Sequence, residues 1–352
     1  MSAGTPVEVR TLTDGGQSPL DIAHAVADFV GAARTSLDLA LYDVRLPSPA
    51  GDVVAGSLRA AAARGVGVRI AFNEEHDHPV PVPPPPRTKP DLLAALGVPI
   101  KPIPGEPDLM HHKYAIRDGR AVWTGSTNWT EDSWSREENV VVTVESPDVA
   151  AAYTRNFEEL WDGGSVARSG HFDTAATAVG EASVRPWFCP GRGEALAHRI
   201  AGAIGRARTR VRIASPVLTS GPILGTLAEV TGDGRADVAG VVDATQIARV
   251  YEQWAENEHS AWKLRALGSV LRRAEFTGKR STPYRPGSVH DFMHAKVTVA
   301  DDVVFAGSFN LSHSGELNAE NVLEMSDPAL ADELASFIDS VRALYPPAPL
   351  PA

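Results

Sequence analysis

Six residue types recur in the same order in two stretches of this chain. His111, Lys113, Asp118, Gly125, Ser126 and Asn128 follow the pattern H-x-K-x4-D-x6-G-S-x-N, and His294, Lys296, Asp301, Gly307, Ser308 and Asn310 repeat it with one residue fewer between Asp and Gly. Ten residues beyond each Asn stands a Glu-Asn pair, Glu138-Asn139 and Glu320-Asn321. At roughly one chance in twenty per position such a pattern is rare in a random chain, and two copies in corresponding places are rarer still. The residue types suit one kind of work. Imidazole can attack, or give and take protons, near neutral pH. Lysine, serine and asparagine present donors to an anion such as a phosphate. On a strand, residues i and i+2 share a face, so His111 and Lys113 reach one ligand while His112 points away, and His294 and Lys296 do the same.

The paired motifs resemble the signature of the phospholipase D superfamily. The first copy, Met110 through Asn139, resembles the small bacterial nucleases and cardiolipin hydrolases within it. That resemblance implies an α/β fold of two phospholipase D-like α-β-α lobes, related by a pseudo-twofold axis and sharing one active site. It implies cleavage of a phosphodiester through a covalent phosphohistidine, with no metal and no cofactor. By the family pattern His111 is the nucleophile and His294 the acid, with the reverse assignment as the alternative. Lys113, Lys296, Asn128 and Asn310, with Ser126 and Ser308, would surround the nonbridging oxygens and hold the charge of a five-coordinate phosphorus. Gly125 and Gly307 would let the backbone approach the ligand. Glu138 and Glu320 are the candidates to hold the far imidazole nitrogens, each serving the histidine of the other motif. Asp118 and Asp301 sit at hairpin turns and read as structural.

Two similar frames must carry these half-sites. Ser18-Pro19 reads as a helix start, followed by a helix to Ala33, a strand over Leu37–Val44, a helix over Gly51–Arg64 and a strand over Val66–Phe72. The second half repeats this with a helix over Ala195–Arg206, a strand over Val211–Ala214, a helix over Gly221–Val230 and a strand over Ala236–Val242. Even the helix exits match, Ala33-Arg34-Thr35 against Ala207-Arg208-Thr209. The expected organisation is a first lobe over 1–165, a linker over 166–183 and a second lobe over 184–352, so that one chain suffices for a complete site. Glu74–Pro90, with four consecutive prolines, is expected to be an extended loop bordering the cleft. His76 and His78 in that loop, and His112, His290 and His313, are expected at the surface or behind the site. Trp123 reads as packing, Trp129 and Trp134 as candidates to line the cleft, and the proline-rich C-terminal tail as extended and frayed.

Composition narrows the function class. A net charge of −11 over 352 residues argues against a protein that coats nucleic acid through counterion release. A single cysteine, Cys189, excludes an intramolecular disulfide and a thiolate metal cluster. No apolar run approaches the length of a membrane span, and Met1–Leu20 lacks the apolar stretch of a secretory signal. The expected location is therefore cytoplasmic, or secreted if a signal was removed. Arg249–Arg285 carries eight basic residues against four acidic ones, interleaved with Tyr251, Trp254, Trp262 and Tyr284, and would suit peripheral contact with an anionic membrane or a nucleic-acid backbone. The preferred substrate is a glycerophospholipid. A metal-independent nuclease on DNA or RNA is the alternative, and a non-catalytic phosphate-binding scaffold is disfavoured by two motifs intact at every polar position.

Overall fold

The computed structural model describes residues 5–74, 93–283, 285 and 287–351. The proline-rich loop past Glu74, with His76 and His78, lies outside the described residues, as does Tyr284.

The chain runs through β1 (Val7–Leu12), α1 (Pro19–Gly31), β2 (Ser36–Leu41), β3 (Val44–Arg45), α2 (Ala50–Ala63), β4 (Gly67–Glu74), β5 (Ile100–Pro104), β6 (Lys113–Arg117), β7 (Ala121–Gly125), β8 (Trp129–Thr130), α3 (Glu131–Ser135), β9 (Asn139–Glu145) and α4 (Pro147–Gly163). It then repeats itself: β10 (Thr177–Val179), β11 (Ala182–Phe188), α5 (Gly193–Arg206), β12 (Arg210–Ala214), α6 (Gly221–Asp233), β13 (Asp237–Asp243), α7 (Ala244–Ala255), α8 (Ala261–Arg273), β14 (Glu275–Lys279), β15 (Val297–Ala300), β16 (Val303–Gly307), α9 (His313–Leu317), β17 (Asn321–Ser326) and α10 (Pro328–Arg342). Local chemistry sets the boundaries. Ser18 caps α1 in a reciprocal capping box with Asp21, with Pro19 at the first helical position.

The first sheet has the order β1-β9-β7-β6-β2-β4-β5, and the second β10-β11-β17-β16-β15-β12-β13-β14. Leaving out β10, the two match strand for strand, including parallel β2–β4 and β4–β5 against parallel β12–β13 and β13–β14. The stretch expected as a linker thus contains an edge strand, β10, paired with β11.

Each sheet has an outer and an inner face. Helices α1 and α2 bury Ile22, Val26, Val54 and Leu58 against the outer face of the first. Helices α5 to α8 bury Ile200, Leu224, Ile247 and Leu267 against the outer face of the second. Between the sheets, Tyr153 and Phe157 of α4 and Leu334 and Ile338 of α10 share one core with residues from both sheets. The lobes are therefore joined through an apolar interior, which fixes how their edges meet.

Two expectations fail here. Trp129 and Trp134 are 2% and 0% exposed and pack on each other in the outer core of the first lobe, so they line no cleft. The C-terminal tail is laid down as an extra edge: Ala348 donates its N–H to Phe276, Gly278 donates to Pro346, and Tyr251 donates its hydroxyl to Pro349. Proline lacks the donor that an edge leaves unpaired, so a proline-rich segment can cover an edge strand without offering a new one.

Candidate active site

The hairpins β6–β7 and β15–β16 carry the motifs, and their turns are built alike. Asp118 and Asp301 both sit at positive φ, 56° and 50°. The Asp118 carboxylate accepts the N–H groups of Arg34, Thr35 and Ser36, and Asp301 accepts those of Arg208, Thr209 and Arg210. These are the helix exits that match in sequence. Partial burial raises both carboxyls, but the N–H donors outweigh it and hold them below the usual range. The second turn has one residue fewer, which the shorter connection between β15 and β16 absorbs.

The glycines serve the sheet rather than a ligand. A Cβ on Gly125 would stand 2.1 Å from the Val140 carbonyl oxygen, and one on Gly307 would stand 2.1 Å from that of Asn321. The next strand, not a substrate, makes the close approach. Ser126 and Ser308 also depart from expectation. Both are buried; Ser126 accepts the Val140 N–H and donates to Asn139, while Ser308 accepts the Asn321 N–H and donates to Glu320. Their hydroxyls are committed to the residues behind the histidines, not turned toward a phosphate.

Those residues come from the opposite lobe. His111 Nδ1 lies 2.8 Å from Glu320. His294 Nδ1 lies 3.0 Å from Asn139 Oδ1 and 3.3 Å from Glu137. An acceptor facing Nδ1 requires the proton there, which leaves Nε2 of each ring as the reacting nitrogen. Glu138, expected at His294, is elsewhere: its carboxylate takes Lys279 at 3.0 Å and the Tyr345 hydroxyl. Backbone pairing explains the error. Met110 bridges Ala319 and Met293 bridges Glu138, so Glu138 corresponds to Ala319, and Asn139 to Glu320. The two Glu-Asn dipeptides are one residue out of register, because the first lobe has an extra residue between Asn128 and β9. Once that is allowed for, Glu137-x-Asn139 corresponds to Asn318-x-Glu320, with acid and amide exchanged. In each pair the amide donates to the acid, Asn139 to Glu137 and Asn318 to Glu320.

Lys113 and Lys296 donate to the carbonyls of His111 and His294 at 2.7 and 2.6 Å. Tyr42 meets the His111 ring edge-on, and its own ring lies 4.6 Å from the Lys113 ammonium. The half-buried side chains of Asn128 and Asn310 make no hydrogen bond among the described residues, leaving both Oδ1 atoms buried and unpaired.

The electrostatics tie the half-sites together. Burial lowers His111 and His294 well below the ordinary imidazole value, and the lysines of both motifs push the same way. Burial also lowers both lysines, and Lys296 lowers Lys113 further. Burial raises Glu320 to about 8 against the pull of Lys113. Two buried lysines thus share the pocket with the buried acids Glu137 and Glu320, and a bound anion would further stabilise their ammonium forms.

The remaining histidines separate. His112 is fully buried behind the site; its Nδ1 accepts from Asn321, whose Oδ1 takes the hydroxyls of Thr124 and Tyr153. His290 is half-buried and His313 exposed.

A family model described as cardiolipin synthase, PLD-like domain, matches residues 26–161 and 200–342. The mitochondrial cardiolipin hydrolase of Xenopus tropicalis is 30% identical over 139 residues, covering 37% of this chain and 56% of that protein. That of Xenopus laevis is 44% identical over 54 residues, covering 15% and 25%. The chain thus spans about half or less of the length of these curated relatives. The crystal structure of phosphatidylserine synthase from Haemophilus influenzae superposes with a TM-score of 0.66 over 97% of this chain and 87% of that one, at 12% identity, a likeness of fold alone.

Proposed function

The chain belongs to the PLD-like family, and from that premise we propose that it cleaves phosphodiesters in two steps through a phosphohistidine. The observation that carries this reading is the pair of imidazoles, each tied at Nδ1 to an acceptor of the other lobe, with a buried lysine beside each. In the first step His111 Nε2 attacks phosphorus. Lys113 and Lys296, with the free amides of Asn128 and Asn310, hold the nonbridging oxygens. The bond to the leaving oxygen breaks, and that oxygen takes the proton from Nε2 of His294. In the second step neutral His294 takes a proton from water or an alcohol, which attacks the phosphoimidazole and frees His111.

The acceptors favour this division of roles. Phosphorylation at Nε2 puts positive charge on an imidazole whose Nδ1 proton is held; that charge draws Glu320, raised by burial, into its carboxylate form, which stabilises it. The nearest acceptor to His294 is a neutral amide, which stabilises imidazolium less and leaves it the better acid. An anionic substrate between the lysines offsets their repulsion and raises His294 toward the range where it carries a proton.

As substrate we propose a glycerophospholipid, in line with the cardiolipin hydrolases that the chain resembles. Trp262 on α8 is 44% exposed, with the Lys263 ammonium 5.8 Å from its ring, and Lys263 donates to Thr219, which in turn is bonded to Leu311 next to Asn310. An exposed indole with a cation beside the site suits contact with an anionic lipid surface. Among the described residues no helix is long and apolar enough to cross a membrane. The test is a side-by-side assay on vesicles of cardiolipin, phosphatidylglycerol and phosphatidylcholine, and on single-stranded DNA and RNA, with and without EDTA. Head-group release from vesicles that persists in EDTA supports the proposal. Turnover of nucleic acid alone would replace lipid by a nuclease substrate, and loss in EDTA restored by a divalent ion would remove the mechanism.

A further inference from the structure

The half-sites differ most in a place that neither motif touches. On the first sheet Asn73 accepts the Met110 N–H, and Ile103 stands beside it on the neighbouring strand; on the second, Asp243 accepts the Met293 N–H, and Lys279 stands beside it. Lys279 therefore occupies the position of Ile103, as Glu138 occupies that of Ala319. Behind His111 the pair is apolar, Ile103 with Ala319, both 0% exposed. Behind His294 it is ionic, Lys279 with Glu138, 4% and 0% exposed. The lysine comes from the second lobe and the glutamate from the first; Asp14 completes the cluster at the ammonium, and the Tyr345 hydroxyl donates to the carboxylate.

The frame does not require these charges, because the same frame holds an apolar pair in its other copy. Burying two ions costs several kcal/mol each, and an apolar replacement is often neutral or stabilising. What an ion pair adds is direction. Lys279 Nζ donates to the Arg136 carbonyl at 2.7 Å and to the Glu138 carboxylate at 3.0 Å, so it grips the chain on both sides of Glu137. Glu137 faces His294, and the Glu138 carbonyl accepts the His294 N–H.

We infer that Lys279 and Glu138 form a positioning pair for His294, holding from behind the segment that aims its Nε2 at the leaving oxygen. At His111 the corresponding place is filled by the apolar Ile103 and Ala319. The inference rests on the reading of His294 as the acid, and a leaving-group comparison tests both. The variant is Lys279→Ile with Glu138→Ala, which copies the other half-site at these two positions, while Asp243 beside Lys279 keeps the donors of Gln246, Ser281 and Met293. Its kcat/KM is measured on an alkyl phosphodiester, whose leaving group needs a proton, and on a p-nitrophenyl phosphodiester, which hardly does. The expected result is a loss of about 10- to 100-fold on the alkyl ester against less than about threefold on the aryl ester, with a melting temperature near that of the parent. Equal losses on both esters, or none on either, overturn the inference. Lys279→Met alone strands the Glu138 carboxylate and should melt lower than the double variant. His294→Asn, run alongside, separates the two ideas. If it loses both esters alike, the acid assignment is wrong and the inference goes with it. If it spares the aryl ester and the double variant does not, only the inference fails.

Discussion

The two lobes share a backbone plan and differ in the side chains set behind it. In both, a turn aspartate ties the hairpin to a helix exit, a glycine admits the next strand, a serine holds the acceptor behind a histidine, and a lysine bonds the carbonyl of that histidine. Behind that plan the pairs are exchanged. His111 has a carboxylate against its ring and an apolar pair deeper in; His294 has an amide against its ring and an ion pair deeper in. The His112–Asn321 pair is likewise confined to one side, its counterparts being Ala295 and Val140. Duplication alone would yield two equivalent histidines, whereas acid–base division of labour needs them unequal. Inequality here comes from residues outside the repeated motif.

The largest expected effect lies at the nucleophile. His111→Ala should lose activity by about 10⁴-fold or more and form no phosphoryl adduct. Rapid quenching and peptide mass spectrometry locate the adduct in the parent; an adduct on His294 would exchange the roles of the lobes.

Next comes the exchange of acid and amide. Glu320→Gln should cost roughly 100-fold and Asn139→Ala nearer tenfold, because only the first removes an ionisable acceptor that can balance the charge of a phosphorylated imidazole. Single-turnover kinetics should put the Glu320 effect on adduct formation. Equal losses at the two positions would mean that the half-sites are equivalent after all.

Anion binding measures what the lobes share. Free Lys113 and Lys296 titrate below the usual lysine value because burial disfavours their charge, and Lys296 lowers Lys113 further. A bound anion raises both, so sulfate should bind with proton uptake. Its affinity should be highest at low pH and fall as pH rises through the lowered lysine range. Calorimetry in buffers of different ionisation enthalpy reads the proton count. Pairing Lys113→Met with Lys296→Met shows whether each lobe contributes one proton; an affinity that does not change between pH 6 and 9 contradicts the arrangement.

The smallest effect concerns His112. Burial holds it neutral, well below the imidazole value of the unfolded chain, about 6.5. Below that pH the unfolded chain takes up a proton that the folded chain refuses. Stability is then lost on acidification, by at most about 1.4 kcal/mol per pH unit for this residue. His111 and His294 act in the same direction. His112→Gln removes its contribution, so the stability gap between parent and variant should narrow from pH 6.5 to 5 in denaturant titrations. A constant gap would place His112 outside the acid response.

The duplication, the alternation of helices and strands in each half, and the His, Lys, Asp, Gly, Ser and Asn positions that the two hairpins carry are all legible along the chain. These are local matters of spacing, turn chemistry and strand period, and they survive in one dimension. Only the tertiary structure decided what faces each histidine. Matching Glu138-Asn139 with Glu320-Asn321 by identity put the frame one residue out, and the correct frame is set by the bridges Met110–Ala319 and Met293–Glu138 between lobes. The tail and the two tryptophans went the same way, because an edge strand or an outer core claims proline or indole according to its neighbours in space. Lys279 stood in the sequence as one more cation of a basic stretch. Its burial against Glu138 follows from two lobes meeting across an apolar core, and no spacing along one chain encodes which residues that meeting brings together.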